Sequence, residues 1–197
     1  MPYKASFDKA LGKIEKSVKR ARRITHQLLA DVGKRDQVVA EIDMQALVNE
    51  TIQLIHRDAE NKGIRVNLEV DRSQRTLWAD PNQIRQVLIN LLNNAIHATN
   101  EDGVITVRLQ SADTGVTLDI IDSGVGIPKE NLDRIFEPFF STKAPGEGTG
   151  LGLFVSRDIV EKMGGQLTVE SQLGQGTCFK IFIPNDDRIG NDEPGLK

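Results

Sequence analysis

Apolar positions change their spacing several times along this chain, and each change marks a new element. Phe7, Leu11, Ile14, Val18, Ala21, Thr25, Leu28 and Val32 step by alternating fours and threes. This heptad stripe predicts a long helix over residues 1–35, packed in a coiled coil or bundle. Ala10, Ile24 and Leu29 widen the seam toward a four-helix arrangement. A single helix cannot bury such a stripe, so a homodimer or a partner helix is expected. The Lys/Arg cluster from Lys13 to Arg23 lies mostly off the stripe and reads as a solvated face. Around Gly33–Asp36 the stripe stops, which sets a domain boundary.

Shorter periods follow. Gln37 to Ile42 reads as a strand, and Asp43 can cap a helix that carries Leu47, Val48, Thr51, Leu54 and Ile55 on one face. That helix should end near Asn61–Gly63. Ile64, Val66, Leu68 and Val70 alternate as in a half-buried strand, and Thr76 to Ala79 is a second short one. Asp80, Pro81 and Gln83 then have the pattern of an N-cap, a first helical residue and a capping box. Ile84, Val87, Leu88, Leu91, Leu92 and Ala95 form the apolar face of the helix they open. Val104–Gln110 and Val116–Ile121 predict a hairpin around Asp113–Gly115. A further helix carrying Phe154, Val155, Ile159, Val160 and Met163 should stop at Gly164–Gly165. Two last strands, Gln166–Ser171 and Thr177–Ile183, flank the Leu173–Gly176 turn. From Pro184 onward Asp, Asn, Gly and Pro dominate, so residues 185–197 are expected to form a disordered tail. The result is an α/β chain with a helical arm at 1–35 and a globular domain at 36–184.

Composition narrows the function classes. The chain is 39% apolar and 27% charged, in the ordinary range of a soluble globular protein. A net charge of −3 gives no reason to expect a nucleic-acid partner. The single cysteine, Cys178, excludes an internal disulfide and fits a reducing compartment. No apolar run is long enough to span a membrane, so a cytoplasmic location is expected, with any membrane anchor lying outside this sequence.

Several polar positions stand out against this background. Gln86, Asn90, Asn94 and His97 recur at spacings of four, four and three, and therefore share one helical face. Taken alone, the row fits a solvated face as well as a wall that offers oxygens to a hard cation and N–H groups to phosphate. Asp122-Ser-Gly124-Val-Gly126-Ile127-Pro128 places an acceptor-only carboxylate at a strand end, followed by two glycines. Such a group can accept from an exocyclic amine such as that of adenine; an exposed Asp-Gly turn is the alternative. Phe136, Phe139 and Phe140 crowd a segment without helical or strand period, as aromatics do when they pin a loop to a core. Gly146-Glu-Gly148-Thr149-Gly150-Leu151-Gly152 runs straight into a helix, where backbone N–H groups and the helix dipole favour an anion. Its spacing matches neither the dinucleotide nor the P-loop fingerprint. A mobile hinge and a phosphate cradle remain compatible with it. His26 has no adjacent carboxylate and His56 no companion ligand, so they read as surface histidines.

In this order, NLLNNAIHAT, DSGVGIP, IFEPFF and GTGLGL resemble the asparagine box, first glycine box, phenylalanine box and second glycine box of sensor histidine kinases. The closing GQGTCFKIFIP is similar to that family's last hairpin, and RITHQLLAD to the second helix of its dimerisation and phosphotransfer hairpin. The resemblance spans about residues 37 to 184. It implies a two-layer sandwich, a mixed sheet packed on helices, that binds ATP and Mg²⁺. Asn90 and Asn94 would contact metal and triphosphate, with His97 as a phosphate contact. Asp122 would read the adenine amine, with Gly124, Gly126 and Ile127 shaping the pocket and Thr177 beside it. Phe136, Phe139 and Phe140 would hold a lid, Lys143 would reach the γ-phosphate, and Gly148, Thr149, Gly150, Leu151 and Gly152 would line the phosphates. The catalytic set implied is Asn90, Asn94 and Lys143.

ATP-hydrolysing relatives carry Glu where this chain has Asn90, and an amide cannot serve as that base, so transfer to a side chain is favoured. None of His26, His56 and His97 has the context of the family's phosphoacceptor, a histidine followed by Glu or Asp. The acceptor hairpin is therefore expected elsewhere, a response regulator is the implied partner, and this chain alone is not expected to autophosphorylate. A nucleotide-binding regulatory module and a serine-phosphorylating relative are the alternatives.

Overall fold

The computed structural model describes residues 39–71, 76–112, 114–143 and 149–185. The N-terminal heptad stripe with His26, the boundary near residue 35, Gly148 and the tail beyond residue 185 lie outside the described residues.

Strand β1 (Ala40–Asp43) leads directly into helix α1 (Met44–Glu60), because Asp43 is extended and its carboxylate accepts from the Ala46 N–H at 3.0 Å. Met44, Leu47, Val48, Thr51, Ile55 and Ala59 are the buried face of α1. Leu54 is a correction to the face read from sequence: it is 63% exposed. At 100° per residue it lies on the solvent side of Ile55, and Ala59 completes the buried stripe instead. Strand β2 (Arg65–Val70) and strand β3 (Thr76–Ala79) follow. β3 pairs antiparallel with β1 in a separate two-stranded sheet.

Helix α2 (Pro81–Ala98) is the structural centre. Its N-cap Asp80 accepts from the Asn82 N–H at 2.9 Å, one residue short of the Gln83 N–H that a capping box uses. Seven apolar residues, Ile84, Val87, Leu88, Leu91, Leu92, Ala95 and Ile96, are buried on one side. α2 lies between α1 and helix α4 (Gly152–Lys162), and it also touches the sheet. A single turn, α3 (Lys129–Leu132), absent from the sequence reading, follows Pro128.

The five-stranded sheet also contains β4 (Val104–Ala112), β5 (Gly115–Asp122), β6 (Gln166–Gln172) and β7 (Gly176–Pro184), in the order β2-β4-β5-β7-β6. Only β2 and β4 run parallel, so the sheet is mixed. Ile105, Val107, Leu109, Leu118, Ile120, Phe179 and Ile181 alternate onto the helix-covered face. Cys178 sits on β7 as expected, pointing to the opposite face; burial pushes its thiol pKa up and the Asp119 charge adds to this. A raised thiol pKa disfavours the reactive thiolate.

Candidate functional site

β5 is the middle strand, and it ends at Asp122, which is 5% exposed. Its Oδ1 accepts from the Gly124 N–H at 2.8 Å and the Thr177 N–H at 3.2 Å. Both recorded bonds use one oxygen, which leaves Oδ2 to accept from a ligand. Burial nevertheless raises the carboxyl pKa, because the two backbone donors only partly offset desolvation.

The loop after Asp122 is locked against two elements. Val125 N–H donates to Ala98 O at 3.0 Å, at the C-terminal end of α2, and Gly174 N–H donates to Val125 O at 2.7 Å. Gly126 has φ +71°, and a Cβ there would lie 2.1 Å from Gln172 O, so no other residue fits without strain. Ile127 N–H donates to Ser171 Oγ at 2.8 Å; that hydroxyl also bonds Gly176 O at 2.8 Å and lies 3.0 Å from Thr177 Oγ1. Ser171 is thus the hub that fixes both the pocket loop and Thr177, and the sequence reading missed it. The available signal was a hydroxyl on the inward register of β6, two residues beyond Val169.

Along α2 the polar row divides. Asn90 and Asn94 are half-buried, whereas Gln86 and His97 at its ends are exposed. Asn90 Nδ2 donates to Gly152 O at 3.4 Å and to Ser156 Oγ at 3.3 Å, which binds α2 to the first turn of α4. Lys143 Nζ donates to Asn94 Oδ1 at 3.4 Å. His97 Nδ1 lies 2.6 Å from Asn93 O, within its own helix. Along α2, at 1.5 Å per residue, Asn94 lies about 6 Å and Asn90 about 12 Å from Ala98, so the amide pair runs away from the adenine-type pocket along one wall.

The phenylalanine segment closes the side of this wall. Phe136 is buried and Phe140 packs against the core, each under a guanidinium: Arg157 lies 5.1 Å from the Phe136 ring centre and Arg134 4.6 Å from that of Phe140. Phe139 departs from the expected pinning role: it is 41% exposed and has φ +67°. Its backbone does the anchoring, since Phe139 N–H donates to Gly150 O at 2.8 Å. Gly150, with φ +66°, would put a Cβ 2.5 Å from the Phe139 backbone. Thr149 Oγ1 accepts from Leu151 N–H at 3.3 Å, and α4 then begins at Gly152 with no side-chain cap. An uncapped helix start offers N–H groups and a positive dipole end to an anion.

The donor set can be tested against a metal. Among the described residues, no three or more His, Cys, Asp or Glu side chains are grouped so that they could hold a metal ion. Two amide oxygens on successive turns, however, suit a hard cation that takes its other ligands from phosphates and water, as Mg²⁺ does. Among the described residues no helix is long and apolar enough to cross a membrane.

Comparison with known proteins gives a consistent picture. Residues 79–187 match the family described as histidine kinase-, DNA gyrase B- and HSP90-like ATPases. The sensor histidine kinase ZraS of Escherichia coli (strain K12) is 39% identical over 169 residues, covering 86% of this chain and 36% of that protein. The chain therefore spans about a third of the length of that curated relative. The catalytic domain of histidine kinase ThkA superposes with a TM-score of 0.69 at 36% identity, over 75% of this chain and 95% of that one. ThkA in complex with the response regulator protein TrrA gives a TM-score of 0.68 at 30% identity, over 87% of this chain and 49% of that one.

Proposed function

Because the chain belongs to the histidine kinase-, DNA gyrase B- and HSP90-like ATPase family, we propose that its ATP-binding domain is the catalytic portion of a sensor histidine kinase. It transfers the γ-phosphoryl group of Mg-ATP to a histidine on a separate hairpin, for relay to a response regulator. The observation that carries this reading is the buried Asp122 carboxylate, clamped through Oδ1 by two backbone N–H groups at one end of a wall whose other end is Asn90 and Asn94.

The residues divide the work. Asp122 Oδ2 accepts from the adenine amine, and Gly124, Gly126, Ile127 and Thr177 shape the flat pocket around it. Asn90 and Asn94 offer oxygens to a Mg²⁺ ion, which supplies charge neutralisation at the phosphates. The start of α4, with Thr149, Gly150, Leu151 and Gly152, faces the triphosphate with N–H groups, and Lys143 beside Asn94 carries the nearby positive charge. Gly148 and His97 join the phosphate contacts. Asn90 has no basic lone pair to deprotonate water, so the site favours in-line attack by an imidazole nitrogen over hydrolysis. Positioning does most of the chemistry in such a transfer.

Two features support the wider assembly. The ThkA complex contains a response regulator, and the heptad stripe over residues 1–35 supports homodimerisation in the full-length protein. The test is to offer a separate acceptor hairpin with radiolabelled ATP. Acid-labile phosphohistidine on the hairpin is expected, with no labelling of the chain by itself. Acid-stable label would indicate a serine kinase, and tight ATP binding without transfer a regulatory nucleotide-binding module.

A further inference from the structure

Buried hydroxyls in this domain have explanations, with one exception. Thr51 and Thr99 bond back to the carbonyls of Leu47 and Ala95 in their own helices, each at 2.7 Å. Thr177 belongs to the adenine-type pocket. Ser156, fully buried on α4, instead has as its recorded partner the Asn90 amide of another helix. A buried hydroxyl on an otherwise apolar face, beside Ile159 and Val160, costs free energy unless its bond compensates.

The bond fixes a direction. Gly152 O can only accept, so the end of the Asn90 amide facing it is the NH₂ group. Ser156 Oγ takes a second N–H from the same nitrogen. Gly152 and Ser156 are four residues apart and hence stacked on one face of α4, which lets both reach one amide. With Nδ2 held by α4, the amide keeps Oδ1 as its acceptor, beside the glycine-rich start of α4, where a Cβ on Gly152 would lie 3.7 Å from it. An amide terminus rotates in a broad, two-fold well, so without this pair it could turn its N–H groups outward and repel a cation. Both bonds are long, at 3.4 and 3.3 Å, so it takes the two together to hold the amide.

We propose that Ser156 is a positioning residue that orients the Asn90 carboxamide so that its oxygen faces the cation accompanying the triphosphate. This rests on the reading of Asn90 as part of the metal wall. Ser156 touches neither metal nor nucleotide; it acts through Asn90.

The test uses the whole chain and separates metal from nucleotide. Calorimetry gives the affinity for ADP in EDTA, and Mn²⁺ electron paramagnetic resonance in the presence of a non-hydrolysable ATP analogue gives the affinity for metal. Ser156→Ala is expected to hold metal-free ADP binding and thermal midpoint close to the wild type, while Mn²⁺ affinity drops about tenfold. Ser156→Thr, which keeps the hydroxyl, should recover most of the loss. Unchanged Mn²⁺ affinity in Ser156→Ala overturns the proposal. So does an equal loss of ADP and Mn²⁺ binding, which marks a purely structural serine. Failure of the wild-type chain to bind ADP would instead overturn the ATP-site reading itself, before Ser156 is tested.

Discussion

The two ends of the proposed nucleotide wall are built by different means. At the proposed adenine end the Asp122 carboxylate is buried, and its partners are backbone N–H groups of the Gly124 loop and β7, at 2.8 and 3.2 Å. The loop beside it donates through Ile127 N–H to Ser171 Oγ, whose hydroxyl in turn donates to Gly176 O on β7, each at 2.8 Å. At the proposed phosphate end, half-buried amide and ammonium groups reach across elements at 3.3 to 3.4 Å: Asn90 to Ser156 Oγ and Gly152 O, and Lys143 to Asn94. Backbone donors cannot turn away, whereas amide and ammonium groups can. The first end is thus preformed for a flat ring, and the second can exchange partners. The two regions are separated by about one to two turns of α2.

This contrast can be broken experimentally. The largest effect is expected from Asp122→Ala, which removes the proposed acceptor for the adenine amine and leaves two buried N–H groups unpaired. ATP binding by calorimetry should weaken by at least about 100-fold, with or without metal; unchanged affinity would remove Asp122 from the site. Asn94→Ala should act at the other end only. Mn²⁺ affinity with a triphosphate analogue should fall about 10- to 100-fold, with metal-free ADP affinity nearly unchanged, and a parallel loss of both would mean that the two ends are not separable. Ser171→Ala should cost about 1–3 kcal/mol in urea unfolding, since it strips the Ile127 N–H of its acceptor. Its nucleotide defect should be the same for adenosine as for ADP, because it disturbs only the base pocket.

The smallest effect is a pH dependence, and its sign is fixed by burial. The folded-state pKa of Asp122 is raised above the ordinary 3.8. Its contribution to stability is therefore fully present below the unfolded-state value and is lost as pH rises through the folded value. Stability of the wild type relative to Asp122→Asn should decline as pH increases across that window, measured by urea unfolding. Adenosine binding should change in the opposite sense. Because Oδ1 already accepts two N–H groups, a proton goes to Oδ2 and blocks the amine, so binding should weaken on acidification. A flat difference between the two proteins would place Asp122 in a more solvated setting than the structure gives it.

Much of this was legible in the chain because local signals agreed with one another. Asp80 and Pro81 start α2 where sequence places it, Gly164 at φ +74° follows α4, and the alternation of β4, β5 and β7 gives the core face correctly. Leu54 misled because apolar character does not by itself fix an angle around a helix, and Phe139 because a loop can be anchored through its backbone. Ser156 and Ser171 were illegible as functional residues. Each is a single hydroxyl whose role depends on a partner 66 or 44 positions away.

The sequence by itself determined the strands and longer helices of the described domain, the polar row on α2, and the carboxylate and glycine motifs of an ATP site, since helical period, strand alternation and turn chemistry are local properties. Only the tertiary structure decided that β1 pairs with β3 apart from the main sheet, and that Oδ1 of Asp122 is consumed by backbone donors. It alone decided which way the Asn90 amide faces. Those facts depend on which distant groups meet once the apolar faces are buried, and no spacing along the chain encodes that geometry.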